Sequence, residues 1–195
     1  MLRSGKIHES GMPEEAAWAH FFDSGATIER LFGAKEVAGD LVEFGSGYGT
    51  FTIPAALRTQ GIVTALDVEP KMVECVRQKA KDGALSNIRC VVGDFVAQGT
   101  GLDDRSQAHA MIFNLLHLEQ PVALLREAHR VLRDGGRLSV IHWRSDIPTP
   151  RGPSLAIRAT PDQCREWIAK AGFRDIEAVD LQSCCPFHFG LVARR

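Results

Sequence analysis

Three glycines at alternate positions, Gly45, Gly47 and Gly49, follow a short apolar run that contains Leu41, Val42 and Phe44. A helix-competent segment, Phe51 to Arg58, comes directly after them. Without Cβ atoms such a turn takes positive φ and lets a ligand lie against the backbone. The unpaired N–H groups at the start of the next helix are expected to face that ligand. A second apolar run, Ile62 to Leu66, ends in Asp67. In a strand–helix–strand unit, an acid at the tip of the second strand accepts hydrogen bonds from both hydroxyls of a ribose. Glycine turn and acid together predict a site for a nucleoside cofactor.

The spacing narrows which one. A dinucleotide loop of the form G-x-G-x-x-G/A requires Gly or Ala at position 50, where this chain has Thr50. Short reductases built on such a domain commonly need Tyr and Lys four residues apart. The only tyrosine here is Tyr48, inside the glycine turn, with Thr52 four residues on. No Gly-Lys-Ser or Gly-Lys-Thr follows the glycines, which excludes a P-loop.

Other side chains carry possible chemistry at the edges of the pattern. His117 and His142 follow the fourth and fifth predicted strands, at the carboxyl edge where open α/β sheets bind ligands. His20 and Asp23, in an N-terminal cap, are placed to close over that edge. A lone histidine is nevertheless more often a structural hydrogen-bonder than a base. Arg144, Arg151 and Arg158 lie in or beside a proline-rich loop, as partners for an anionic substrate or as solvated charges. Cys184-Cys185 reads as small side chains in a hairpin rather than as a redox or metalloid site.

The elements that must position these residues alternate along the chain. Helices are expected over Pro13 to Phe22 and Ala26 to Phe32, and then strands and helices take turns. Glu69 to Asp82 spaces Met72, Val73, Val76 and Ala80 on one helical face. Strands are predicted at Ile88–Val92, Ala108–Phe113 and Arg137–His142, and a helix over Val122 to Leu132. Thr160-Pro-Asp-Gln163 is a capping-box pattern that starts a helix running to Ala171. Ile176–Leu181 and Phe187–Ala193 are two strands too closely joined for a parallel crossover. The expected fold is α/β: a doubly wound, mostly parallel seven-stranded sheet with one antiparallel strand near the edge.

Composition sets the bounds. At 195 residues the chain fits one domain, read as a helical cap over 1–35 and a core over 40–195. With 23 basic against 24 acidic residues, no net field argues for nucleic acid or an anionic membrane. The first fifteen residues lack the apolar core of a secretory signal, and no apolar run reaches the roughly 20 residues of a membrane span. Five scattered cysteines with no CxxC pair suggest neither a disulfide framework nor a zinc site. A cytoplasmic protein without a metal is the expectation.

The joint order of these signals resembles the Rossmann-like (class I) S-adenosylmethionine-dependent methyltransferases. Glu43-Phe-Gly-Ser-Gly-Tyr-Gly49 is similar to their first motif, Asp67 to their ribose-binding acid, and Gly93-Asp94-Phe95 to their adenine-contacting segment. Arg130 to Arg137 resembles the turn before their fifth strand, and the terminal hairpin their reversed seventh strand. The resemblance covers about Asp40 to Arg195. It implies the Rossmann-like methyltransferase fold, S-adenosyl-L-methionine as cofactor, and a binding set of Glu43, Gly45, Ser46, Gly47, Asp67, Val68, Asp94, Phe95 and Asn114. Glu43 would orient the methionine moiety, and Asp94 would reach the adenine amine. Many members carry an acid at the end of the fourth strand, where this chain has Asn114.

The expected activity is in-line methyl transfer to a small-molecule acceptor, with His117, His142 and His20 as candidate catalytic residues and the N-terminal helices and the Arg144–Pro153 loop as lid. Holding a nucleophile against an activated methyl contributes about 7–11 kcal/mol, against some 3–5 kcal/mol for a general base. Positioning therefore dominates. Two readings of other classes stay open at this stage: a nicotinamide-dependent reductase, and a non-catalytic S-adenosylmethionine-binding module. The acceptor and the oligomeric state are not specified by the sequence.

Overall fold

Apolar runs bounded by glycine turns form the strands, and segments with 3.6-residue periodicity form the helices that cover them. A computed structural model describes residues 14–195. The strands are β1 (Leu41–Phe44), β2 (Val63–Asp67), β3 (Ile88–Val92), β4 (Gln107–Phe113), β5 (Leu132–Trp143), β6 (Arg174–Val179) and β7 (His188–Arg194). They form one sheet in the order β3-β2-β1-β4-β5-β7-β6. Only β7 runs against its neighbours, between β5 and β6. The central strands β1, β2 and β4 are buried along their whole length, as expected where both sheet faces are covered.

The helices are α1 (Glu15–Ala19), α2 (Ser24–Phe32), α3 (Thr52–Ala56), α4 (Pro70–Asp82), α5 (Pro121–Val131) and α6 (Pro161–Lys170). On one face, Leu125 of α5 and Ile168 of α6 join Val42, Phe44, Ile112 and Val140 in one core. On the other, Ile28 and Leu31 of α2 and Ala55 of α3 pack with Leu41, Met111 and Ile141. The residues expected to bury one face of α4, Met72, Val73, Val76 and Ala80, do so. The capping box of α6 is complete: the Thr160 hydroxyl accepts from Gln163 N–H at 3.2 Å, and the Gln163 amide oxygen accepts from Thr160 N–H at 2.9 Å.

Three elements differ from the sequence expectation. Pro13, the expected helix start, lies outside the described residues; α1 ends at Ala19, and the next residues form a turn that brings Phe21 and Phe22 against Trp18. The helix after the glycines is five residues long, not eight. Its tail is drawn away because Arg58 and Thr59 hydrogen-bond the chain at Val37. β5 begins five residues earlier than expected, since Leu132 already pairs with Gln107 before the chain shifts register.

Gly61 shows how tightly the strand entries are packed. A Cβ there would stand 2.3 Å from the Gly39 carbonyl carbon and 2.6 Å from Asp40 N. The obstructing atoms are backbone and cannot rotate aside. Gly61→Ala is expected to destabilise the fold by about 3 kcal/mol, the upper end of ordinary overpacking costs. Urea unfolding of the variant checks this, and a midpoint equal to wild type would contradict the packing. Among the described residues, no helix is long and apolar enough to cross a membrane.

Candidate active site

The strand order reverses between β1 and β4. After β1 the chain builds outward to β2 and β3, then returns to place β4 on β1's other side. Their carboxyl ends therefore flank a crevice, the usual ligand position in open α/β sheets. Residues 45–49 lie there directly after β1.

The glycine turn is shaped by its backbone. Gly45, Gly47 and Gly49 all have positive φ, between +51° and +75°. A Cβ at Gly45 would press on Leu115 at 3.1 Å, and one at Gly49 on Val76 at 3.1 Å. The turn thus lies close against both the segment after β4 and helix α4. Its own N–H groups are spent within the protein. Those of Gly45 and Ser46 donate to the Leu66 carbonyl at 2.8 and 2.9 Å, and that of Gly49 to the Ser46 carbonyl. Gly47 N–H donates to Asp67 Oδ2 at 2.8 Å. The turn therefore clamps onto β2 rather than offering a row of free donors, and α3 is a short helix.

Asp67 is the hinge of this arrangement. It is 8% exposed, and its second oxygen accepts from Glu69 N–H at 2.9 Å. Burial raises its pKa, and the two backbone donors oppose that shift. Each oxygen of an ionised carboxylate has room for a further hydrogen bond, so the tip of β2 retains acceptor capacity. Val68, half-buried, follows it.

Glu43 sits one residue before the end of β1 and is buried. Its carboxylate accepts from the Thr52 hydroxyl at the start of α3, not from the glycine turn's N–H groups. Burial pushes this carboxyl up to about 8; the Thr52 bond works against the shift, and the charge of Asp67 adds to it. Thr52 was not singled out from the sequence, although a hydroxyl nine residues after an acid across a glycine turn is a natural partner.

Beyond β3, Asp94 Oδ1 accepts from Val96 and Ala97 N–H at 3.1 and 3.0 Å, an Asx-type turn. The Phe95 ring does not line the cofactor edge. It is buried in the core, edge-on to Phe44 at 5.5 Å. The apolar side chains exposed near Asp94 are Val92 and Val96. At the end of β4, Asn114 adopts φ +58°, donates its N–H to the Ile141 carbonyl, and leaves its buried Oδ1 without a partner.

Beside Asn114 the histidines assemble. His117 and His142 face each other with ring centroids 5.5 Å apart at 73°. His142 is fully buried at the end of β5, stacked 6.0 Å from Phe189. Burial holds His117 down to about 4. Burial also holds His142 down to about 3; His117 and Arg158 add to that, and the Trp143 main chain works the other way. His188, missed in the sequence, joins them. Because β7 is antiparallel, its first residue lies at the carboxyl edge of the parallel strands and pairs with Trp143. Its ring lies 4.0 Å from Trp143 and 4.9 Å from Phe22. The reversed direction of the last strand was the signal that could have found it. His20, in contrast, is exposed, with Nδ1 2.5 Å from the Ala16 carbonyl in its own helix. The structure does not bring it into this group.

An aromatic roof lies over the β5–β7 end of the edge. Trp18 and Phe21 pack edge-on to Trp143 at 6.2 and 5.9 Å, and Phe22 packs on Phe51 at 5.1 Å. Glu15 of the same helix forms an ion pair with Lys79 of α4, which also donates to the Tyr48 carbonyl at 2.7 Å. α1 thus straps the glycine turn to the end of β5. Two of the three arginines considered for an anion are already engaged. Arg144 pairs with Asp146 at 2.6 Å, and Arg158 donates to the carbonyls of Pro153, Arg144 and Arg151. Cys184 and Cys185 are buried free thiols behind α2. Among the described residues, no group of three His, Cys, Asp or Glu side chains could hold a metal ion.

The comparisons with known proteins agree with this geometry. The family model described as a methyltransferase domain matches residues 41–136. A demethylmenaquinone methyltransferase of Staphylococcus epidermidis is 36% identical over 93 residues, covering 47% of this chain and 37% of that protein. An aklanonic acid methyltransferase of a Streptomyces species is 30% identical over 145 residues, covering 68% of this chain and 65% of that protein. The chain thus spans less than two thirds of the length of these curated relatives. The crystal structure of a SAM dependent methyltransferase from Aquifex aeolicus shares the fold, with a TM-score of 0.78 at 22% identity over 93% of this chain and 94% of that one.

Proposed function

We propose that this chain, which belongs to the class I S-adenosylmethionine-dependent methyltransferase family, binds S-adenosylmethionine across the carboxyl ends of β1 and β4 and methylates a small-molecule acceptor. One observation carries the reading: Asp67 ties the glycine turn to the tip of β2, so that the closest backbone approach and the ribose-type acceptor form one unit. The residues present fit the cofactor. Gly45, Gly47 and Gly49 add no side chains where the turn bends at positive φ. The buried Ser46 hydroxyl and Asn114 amide oxygen lack partners at the same edge. Asp67 would hold the ribose, Asp94 and the Val92–Val96 surface the adenine, and Glu43 with Asn114 the methionine end.

Once bound, the cofactor would supply a methyl group on a sulfonium, give that methyl to a lone pair on the acceptor and depart as the thioether, and any proton on the attacking atom would pass to solvent. The protein's part is to align the acceptor and exclude water. His117 and His142, kept neutral by burial, are poor bases but available hydrogen-bond partners, consistent with catalysis dominated by positioning. The aromatic strap and the Arg144–Pro153 loop serve as the lid. The two curated relatives carry small molecules in their names, which supports a small-molecule acceptor. Family membership sets aside the nicotinamide-dependent reductase.

Calorimetric titration with S-adenosylhomocysteine, run beside NADH, tests the reading. Micromolar binding of the former and none of the latter is expected. NADH binding without S-adenosylhomocysteine binding would overturn it.

A further inference from the structure

The carboxyl edge concentrates unmet hydrogen-bonding capacity. Ten buried side-chain nitrogen and oxygen atoms among the described residues have no partner, and eight belong to Ser46, Asn114, His117, His142 and His188. Buried polar atoms are normally paired, and leaving one unpaired costs about 1–3 kcal/mol. A cost repeated at one edge is the signature of a place where a ligand completes the bonding. Ser46 and Asn114 fall to the cofactor end; the imidazoles lie beyond it, beneath the aromatic roof.

We propose that the methyl acceptor is an uncharged, ring-shaped molecule bearing a hydroxyl, seated against the Trp18–Trp143 aromatic wall with its hydroxyl bonded by the His117–His142 imidazole pair. The proposal rests on the methyltransferase reading and names the acceptor class for that same site. Three features of the wall select it. A neutral imidazole has one donor and one acceptor nitrogen, as a hydroxyl has one donor hydrogen and acceptor lone pairs, so two facing imidazoles both give to and take from a single hydroxyl. Their ring centroids, 5.5 Å apart at 73°, are close enough for a nitrogen of each ring to reach one oxygen lying to the side of the pair, not between them. Second, the half-buried rings of Trp18, Phe21 and Phe22, backed by the buried Trp143, offer faces and edges to a flat apolar body.

Third, the wall does not suit a charged acceptor. For an anion, Arg144 is already paired with Asp146, the Arg158 guanidinium donates to three main-chain carbonyls, and the third loop arginine, Arg151, is exposed to solvent, not buried in the wall. For a cation, the Trp143 ring already has the Arg158 guanidinium 5.8 Å from its centroid, a fixed positive charge beside the seat. A charge buried without a partner carries a heavy desolvation cost. His188, fully within the wall between Trp143 and Phe22, supplies a third neutral imidazole for a second oxygen substituent.

The test uses four probes that share one ring system: 2-naphthol, naphthalene, naphthalene-2-sulfonate and 2-naphthyltrimethylammonium. Each is titrated into the full chain saturated with S-adenosylhomocysteine and followed by probe fluorescence. Naphthol is expected to bind about tenfold tighter than naphthalene and than either charged probe. In His117→Leu and His142→Phe that tenfold preference over naphthalene is expected to disappear while affinity for S-adenosylhomocysteine stays within threefold. Tighter binding of the sulfonate or the ammonium would overturn the acceptor class. A naphthol preference that survives both substitutions would overturn the role of the imidazole pair. Nitrogen-15 shifts of the two imidazoles in wild type give a second readout that needs no variant: they are expected to move with naphthol and not with naphthalene, and unmoved shifts under naphthol overturn the proposal. Failure of S-adenosylhomocysteine itself to bind is a separate result and strikes the methyltransferase reading instead.

Discussion

Asp67→Ala is expected to lower affinity for S-adenosylhomocysteine by about 10²–10⁴-fold. The estimate follows from two ribose hydrogen bonds to a charged acceptor, each worth about 1.5–3 kcal/mol. The structure adds a second route to the same loss. Asp67 accepts the Gly47 and Glu69 N–H groups, so its removal also frees the turn proposed to carry the cofactor. Asp67→Asn separates the two routes. It preserves an oxygen for Gly47 but not the charge, and an intermediate loss of about 10–100-fold is expected. Calorimetry measures both variants, with thermal unfolding alongside to confirm that each is folded. An Asp67→Ala protein that binds within threefold of wild type would remove the acid from the cofactor site.

The second large effect is a loss of stability in mild acid. His109, buried against the Ser139 hydroxyl at 2.8 Å, is held down to about 3 by burial with help from Arg137. His117 and His142 are held down to about 4 and about 3, and His188 is displaced in the same direction. An imidazole whose folded pKa lies below its unfolded value costs nothing above pH 6.5. Below that, the unfolded chain binds protons that the folded chain refuses, and stability falls as the pH falls toward 3 or 4. Between pH 7 and pH 5 each of His109, His117 and His142 costs about 2 kcal/mol.

Glu43 acts in the opposite sense. Its folded pKa of about 8 lies above the unfolded value of 4.5, so its stabilising contribution is full below 4.5 and is lost as the pH rises toward 8. Over the same interval, acidification returns about 2–3 kcal/mol through this residue. Counting His109, His117 and His142 against Glu43, the net expected loss for wild type is about 3 kcal/mol, and His188 adds to it. Glu43→Gln, which keeps an acceptor for Thr52 but does not titrate, is expected to lose at least about 6 kcal/mol over that range and to be the more stable protein at pH 8. Urea denaturation at pH 5, 7 and 8 measures all of this. A wild-type stability flat from pH 7 to pH 5, or an identical profile in the variant, would contradict the buried neutral histidines or the raised Glu43.

Much of this molecule was legible in its order of residues. The strand and helix sequence, the apolar face of α4 and the capping box of α6 depend on local periodicity and on side chains three or four residues apart, and all are present. The reversed last strand followed from a connection too short for a crossover. The glycine turn and Asp67 were visible because backbone geometry restricts which residue types such a turn accepts. What failed was whatever depended on partners far away in the chain. Phe95 looked like a cofactor contact but is held in the core by Phe44, fifty-one positions earlier in the sequence. The helix after the glycines looked eight residues long, but its tail is drawn away by hydrogen bonds to Val37.

The sequence by itself determined the fold class and the glycine turn and acid at the sheet's carboxyl edge, because strand periodicity, glycine φ and the strand-tip acid are local properties. Only the tertiary structure decided the imidazole and aromatic cluster proposed to take the acceptor. His142 belongs to β5, His188 to β7, His117 to the turn after β4 and Trp18 to α1. These residues meet solely because β7 runs backwards beside β5 and α1 folds across the edge. Their neutrality has the same origin: an imidazole loses its proton affinity through the low-dielectric neighbours that folding gathers around it, and spacing along the chain carries no record of those neighbours.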